Sequence, residues 1–307
     1  MEIPTDLKNL YQHWKFYQVL KSITKFNGHK ESITQIEYFI KERMLIWEKK
    51  VSKQNPPYTT DPILANYRFC NIYRELDRQT IEIHTRLNPL KIDFELWLLN
   101  LAFMRFIAKT ETIEKIGLLS FNKVNNQKVF ERLKALPKPK YGTAYIFPIS
   151  VIMKTKYPTR EEFFCFYLPE ATRKVANEVS KFNRISIVDA LNQILPVFGF
   201  NMKFHWTEIL IDVAYQFPEF IDLNKKFPIG PGSLPTMKIL FPDLDPEEAC
   251  LKVSSYQPSG FPYLTLNGKK VYLTAENWEG IGCEFRKYSN LKTGNGRKRI
   301  YRDPNQS

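Results

Sequence analysis

No stretch of this sequence has the roughly 18 consecutive apolar residues that a bilayer-crossing helix needs. The nearest candidate, residues 94–107, contains Glu95, Asn100 and Arg105 and reads as a buried helix instead. The first residues, MEIPTDLKNLYQHW, lack the basic start and apolar core of a secretory leader, so a cytoplasmic protein with no membrane partner is expected. Cysteine is sparse: Cys70, Cys165, Cys250 and Cys283 are far apart and form no CxxC, which fits reduced thiols better than a disulfide framework. The four histidines (His13, His29, His84 and His205) are equally scattered, so no metal site is expected. Several catalytic signatures are also missing. There is no GxxxxGK[ST] phosphate loop, no HExxH, no HxE with PCxxC, and no GxSxG. What is left is chemistry by carboxylates, amides and arginines, with no cofactor.

In 307 residues, 43% hydrophobic and 14% aromatic content supplies a full core. The formal net charge of +13 calls for a polyanionic partner, most directly double-stranded DNA, and no obligate protein partner is evident. Helical periodicity dominates. It predicts helices over residues 7–26, 33–50, 60–84, 93–109, 111–118, 124–136, 171–182, 187–198 and 208–216, with a proline-broken loop or extended run over 141–153. These imply an all-α fold with a few short extended segments, spanning 1–307 as a single helical domain.

Residues 56–80 are the most informative stretch. Thr60 can cap a helix, Asp61 sits in its first turn, and Pro62 fits where a missing N–H matters little. Apolar residues then cover most of the helix circumference, yet Arg68, Asn71, Arg74, Asp77 and Arg78 run through it. Asn71, Arg74 and Arg78 fall at i, i+3 and i+7, one stripe. Buried arginines are costly unless each finds an anion or a hydrogen-bond acceptor. The partners are either internal (Asp77, Glu75, Asp61) or the phosphate or carboxylate groups of a ligand.

Two further segments suggest DNA contact. Phe227 to Met237 places Gly230 and Gly232 around one proline, with Ser233 and a helical run behind them. Over 222–250 this reads as a helix–hairpin–helix-like element whose glycines approach a phosphate, although such a loop between helices is also common. A short helix over 234–241 follows, and a second starts at Pro246 with Asp245 as its N-cap. The tail, 286–307, is basic, with Arg297, Lys298 and Arg299 at its centre. It reads either as a phosphate-contacting loop or strand or as a solvated end.

At Thr60-Asp61-Pro62, Tyr67-Arg68-Phe69, Asn71, Tyr73-Arg74 and Asp77-Arg78, the sequence resembles the alpha-glutamyl/putrescinyl thymine pyrophosphorylase family. It equally resembles the helical domain associated with 5-hydroxymethyluracil DNA kinases. Phe39, Glu42-Arg43 and Ile46 match an upstream helix of that family, and Cys283-Glu284 with Lys287-Tyr288 match a C-terminal CExxKY signature. The resemblance spans residues 35 to 302. It implies a fold related to helix–hairpin–helix DNA glycosylases and work on modified pyrimidines in phage-type DNA. Some members join an amine to phosphorylated hydroxymethyluracil. Others resemble glycosylases, including defence enzymes that excise glucosylated hydroxymethylcytosine.

The expectation drawn from this is a DNA glycosylase that flips a modified pyrimidine into a pocket and leaves an abasic site. Asp77 is the first candidate for the catalytic carboxylate. Asp245, by its position after the hairpin, is the second, and Asp61 is a rival. Arg68, Asn71, Arg74, Arg78, Glu284 and Lys287 would bind substrate, and Gly230, Gly232, Ser233, Arg297, Lys298 and Arg299 would bind DNA. One alternative is a transferase that displaces phosphate from 5-phosphomethyluracil in DNA with an amine, and another is a non-catalytic DNA-binding module.

Overall fold

Local capping chemistry sets most of the helix starts. Asp61, Asp93, Asn122, Ser186, Asp245 and Thr274 each accept a backbone N–H of the helix they precede. The computed structural model describes residues 1–18, 25–143, 146–153, 155–258 and 260–296. In chain order the helices are α1 His13–Phe16, α2 Lys30–Val51, α3 Pro62–Asn66, α4 Arg78–Leu87, α5 Phe94–Ile107, α6 Thr110–Ile116, α7 Lys123–Ala135 and α8 Ile149–Ile152. They continue as α9 Arg160–Glu162, α10 Leu168–Val179, α11 Ile187–Phe198, α12 Lys203–Gln216, α13 Leu234–Leu240, α14 Pro246–Ser254 and α15 Ala275–Lys292. A small antiparallel hairpin, β1 Leu264–Leu266 with β2 Lys269–Val271, precedes α15. The fold is all-α, as the periodicity implies.

The chain divides into two compact units: Met1–Asp77 with Leu223–Ser307, and Arg78–Asp222. The second unit is built around α5, which is apolar on all sides and buried from Trp97 to Ile107. Its buried Asn100 and Arg105 side chains are hydrogen-bonded. The Asn100 side-chain amide donates to the Leu96 and Leu119 carbonyls and accepts from the Leu119 N–H. Arg105 grips Asp212 of α12 with two nitrogens, at 2.6 and 2.7 Å. His84 of α4 sits 3.0 Å from the same carboxylate, and Gln216 lies 2.8 Å from its other ring nitrogen. A π-helical turn, Phe163–Tyr167, joins α9 to α10. Gly199 ends α11 at φ +89°, a left-handed position that glycine occupies without a Cβ clash.

The first unit packs α2, α13, α14 and α15 around Trp14, Phe39, Tyr73 and Trp278, all essentially inaccessible. Its hairpin turns at Asn267-Gly268, both at positive φ, the signature of a tight two-residue turn. Glu2 extends this small sheet through a parallel bridge to Thr265.

Four expected elements differ, the first being the expected loop or extended run over 141–153, in which Ile149–Ile152 is helical. Only His13–Phe16 of residues 7–18 is α-helical, and residues 19–24 of the expected 7–26 helix lie outside the described residues. Here tertiary hydrogen bonds override periodicity. The buried Glu75 carboxylate takes the Trp14 indole N–H at 2.8 Å and lies 3.0 Å from His13, and Tyr11 donates to the Glu75 carbonyl. The continuous 60–84 helix is not formed. It breaks into α3, an extended run, the 3₁₀ turn Arg74–Leu76, and α4. Its cap is Asp61 rather than Thr60, with Oδ1 accepting from Ile63 and Leu64 at 2.8 and 3.0 Å. Finally, the described part of the basic tail is neither loop nor strand up to Lys292, because Arg286 and Lys287 belong to the last turns of α15.

Candidate functional site

The broken helix becomes a loop, residues 59–77 of the first unit, held in place by side chains of α2 and α15. From α2, Glu42 accepts the Thr59 hydroxyl at 2.6 Å. The neighbouring Arg43, buried, donates to the Phe69 and Cys70 carbonyls at 3.1 Å each. From α15, Glu284 accepts the Cys70 N–H at 3.0 Å, and the Lys287 ammonium donates to the Arg68 carbonyl. Lys287 also lies 4.4 Å from the centre of the Phe69 ring. Tyr288 donates to Asp61 Oδ2 at 2.7 Å, and Tyr38 of α2 reaches the same oxygen at 3.3 Å. Both motifs that flank the central one therefore act on the backbone and cap of this loop. Glu284 and Lys287, expected to touch substrate, are bonded to the backbone of this loop.

The loop turns outward a set of polar groups. Arg68 and Cys70 are exposed, and Asn71, Arg74 and Asp77 are half-buried. Asn71 and Asp77 close a local turn. The Asn71 N–H donates to Asp77 Oδ1 at 3.0 Å, and its side-chain amide donates to the Leu76 carbonyl at 3.0 Å. Asp77 is the chemically distinctive member. Burial raises its carboxyl pKa to about 6, against the opposing pull of the Asn71 N–H and the Arg74 and Arg43 charges, with Glu284 adding to the rise. A carboxyl held near neutrality beside cations is a hallmark of acid–base sites.

The other candidate carboxylates are in different situations. Asp61 is saturated by two backbone N–H groups and two tyrosine hydroxyls, the description of a cap. Asp245 is exposed and caps α14 through the Glu247 N–H at 2.9 Å. Nor does the expected arginine stripe survive. With no helix through residues 67–77, Asn71, Arg74 and Arg78 share no helical face. Arg78 opens α4 in the second unit, is largely exposed, and pairs with Glu82 at 3.1 Å.

The glycine-bracketed segment also differs from expectation. No helix precedes it in the first unit, since residues 223–229 are non-helical, so a helix–hairpin–helix element is not formed. Its glycines face α15 instead. Gly230 donates its N–H to Glu279 at 3.2 Å, and a Cβ on Gly232 would lie 2.4 Å from the Cys283 sulfur. Ser233 is fully buried, the Thr236 hydroxyl donates to the Gly282 carbonyl at 2.7 Å, and Arg286 donates to the Pro231 carbonyl. Close helix packing accounts for these residues without a phosphate. Arg297, Lys298 and Arg299 lie outside the described residues. Among the described residues, no three His, Cys, Asp or Glu side chains gather to hold a metal ion, and no helix is long and apolar enough to cross a membrane.

Sequence reasoning singled out Asp77 but treated Arg43 only as part of a matching helix. The hidden signal was the charged pair Glu42-Arg43 on the apolar face of α2, where Phe39, Ile40, Met44 and Ile46 are buried.

This chain belongs to the family described as the 5-hmdU DNA kinase, helical domain, which it matches over residues 30–298. A 5-hmdU DNA kinase of Bacillus phage SP10 is 35% identical over 89 residues, which are 27% of this chain and 14% of that protein. The match thus spans about one seventh of that relative's length. No solved structure matches the chain.

Proposed function

We propose that this chain is an enzyme acting on DNA that carries a 5-substituted pyrimidine, with Asp77 as its proton-accepting group. The observation that carries the reading is the Asp77 carboxyl, raised to about 6 by burial in a loop clamped by Arg43 of α2 and Glu284 of α15. Such a group is mostly ionised at neutral pH and still basic enough to take a proton from an attacking nucleophile. The +13 charge supplies general attraction for DNA.

Within the family, we favour the pyrophosphorylase-type reaction. The phage relative is named as a kinase of 5-hydroxymethyl-deoxyuridine DNA. The 307 residues hold no GxxxxGK[ST] loop, so phosphoryl transfer itself is not what we assign. The phosphorylated product of such a kinase is the substrate we assign here. An amine would form a C–N bond at the 5-methylene carbon, the C–O bond would break with its electrons on the departing phosphate, and the ammonium proton would pass to Asp77.

Excision of the base is the second reading, and one observation favours it. Of the arginines expected to hold a phosphate, Arg78 is committed to Glu82. With water as the nucleophile, the same carboxylate would serve N-glycosidic cleavage.

The test is Asp77→Asn. Asn can keep the Asn71 hydrogen bond, so DNA affinity should stay within a few-fold while product formation falls by at least about 100-fold. Undiminished turnover by the variant would remove Asp77 from the chemistry.

A further inference from the structure

Beside this loop, the exposed face of α2 carries Thr34, Tyr38 and Lys41 at i, i+4 and i+7, one stripe. Two shallow hollows of about 250 and 260 Å³ open on it and adjoin at Thr34 and Tyr38, a two-part groove. Tyr288 and Lys292 of α15 close one end, and Lys41 and Phe261 line the other. Tyr38 stands in the middle with 46% of its surface accessible. Its hydroxyl reaches Asp61 Oδ2 at 3.3 Å, the oxygen that also holds Tyr288.

We infer that this groove binds a single DNA strand, with one base stacked on Tyr38 and flanking phosphates met by Lys41 and Lys292. An exposed aromatic ring between cations is how proteins hold unpaired strands: every base has a π face, and the backbone follows the positive charge. Two cations reach the groove for phosphate contact. Lys41 and Lys292 are both exposed; of the carboxylates around it, Glu37 accepts the Tyr256 hydroxyl and Glu42 the Thr59 hydroxyl, each at 2.6 Å. The Asp61 carboxylate beneath the ring is covered by its four donors. A nucleobase also suits Gln35, one turn before Tyr38, whose amide carries a donor and an acceptor for a base edge. This inference deepens the DNA reading above and rests on it, but its test needs no turnover.

The experiment measures binding of an unmodified fluorescent oligothymidylate to the full chain by anisotropy across a salt series. Tyr38→Ala should weaken binding by about tenfold, since one stacked base contributes about 1–3 kcal/mol. Tyr38→Phe, which keeps the ring and loses the Asp61 bond, should stay within about twofold of wild type. Lys41→Gln with Lys292→Gln should flatten the log affinity versus log salt slope by about 1.4, at about 0.7 per phosphate. Thermal melting checks the fold. If Tyr38→Ala does not fold, the lysine pair decides the question. An unchanged slope in that pair, wild-type affinity in a folded Tyr38→Ala, or equal losses in Tyr38→Phe and Tyr38→Ala would overturn the proposal. Loss of catalysis with this binding pattern intact would count against the proposed reaction only.

Discussion

Asp77 carries a testable consequence in pH. Its folded pKa of about 6 lies above the ordinary carboxyl value of 3.8, so the folded protein favours the protonated acid. The stabilisation this provides is fully present below about pH 4 and is lost as pH rises through about 6. Relative to Asp77→Asn, wild type should therefore lose about 1–3 kcal/mol between pH 4 and 7. Melting curves of both proteins at the two pH values check this, and a shift of opposite sign would show the carboxylate to be stabilised by the fold. If Asp77 is the base, turnover should rise with pH along a limb centred near 6. Asp61 is a contrasting case. Its residue type suggested chemistry, but all of its hydrogen-bonding capacity goes to holding the start of α3 and two tyrosines. Nothing in the sequence separates a carboxylate that caps from one that reacts, because the distinction lies in partners 23 and 227 residues away.

Among the elements, α15 does the most organising. One stripe of it, Glu279, Gly282, Cys283 and Arg286, backs the Gly230–Gly232 segment and α13. A second, Glu284, Lys287 and Tyr288, clamps the 59–77 loop. Gly232→Ala should destabilise the protein by about 1–3 kcal/mol through overpacking on Cys283, and Cys283→Ala in the same chain should restore most of that loss. The cycle is read by chemical denaturation. Additive losses would mean that the two positions do not press on each other. In the second unit, Asp212→Ala leaves Arg105 buried without its bidentate partner and should destabilise by about 3–5 kcal/mol. Helices with a clear apolar period and a capping residue were legible to within a few residues; 187–198 was read as it stands. The failures share a cause. In 7–18 and 60–77, aromatic and arginine side chains find partners far along the chain, and those contacts override local helical preference. The tail was read by charge alone, so the long helix that begins at Thr274 with a capping box went unnoticed.

For the whole molecule, one unit is a continuous segment, Arg78–Asp222, while the other is assembled from both chain ends. Expressed alone, residues 78–222 should give a helical, cooperatively melting protein, whereas removal of α15 should unfold the unit that carries the 59–77 loop. Circular dichroism of both fragments checks this. The all-α class and a polyanion-seeking charge could be read from composition and period. The site could not be read in full, because its form depends on α2 and α15 meeting a loop that the periodicity presented as a helix. The central claim is that this loop chemically alters a modified pyrimidine in DNA. The most direct measurement is mass spectrometry of nucleosides and released bases after the purified chain meets DNAs containing cytosine, hydroxymethylcytosine, glucosylated hydroxymethylcytosine, hydroxymethyluracil or 5-phosphomethyluracil, with and without an amino acid or polyamine. The account predicts a new amine-bearing nucleoside from the phosphorylated DNA or, on the second reading, a free modified base with matching abasic sites. In either case the product is absent with Asp77→Asn. Unaltered DNA in every reaction, with DNA binding intact, would contradict the claim and leave a binding module.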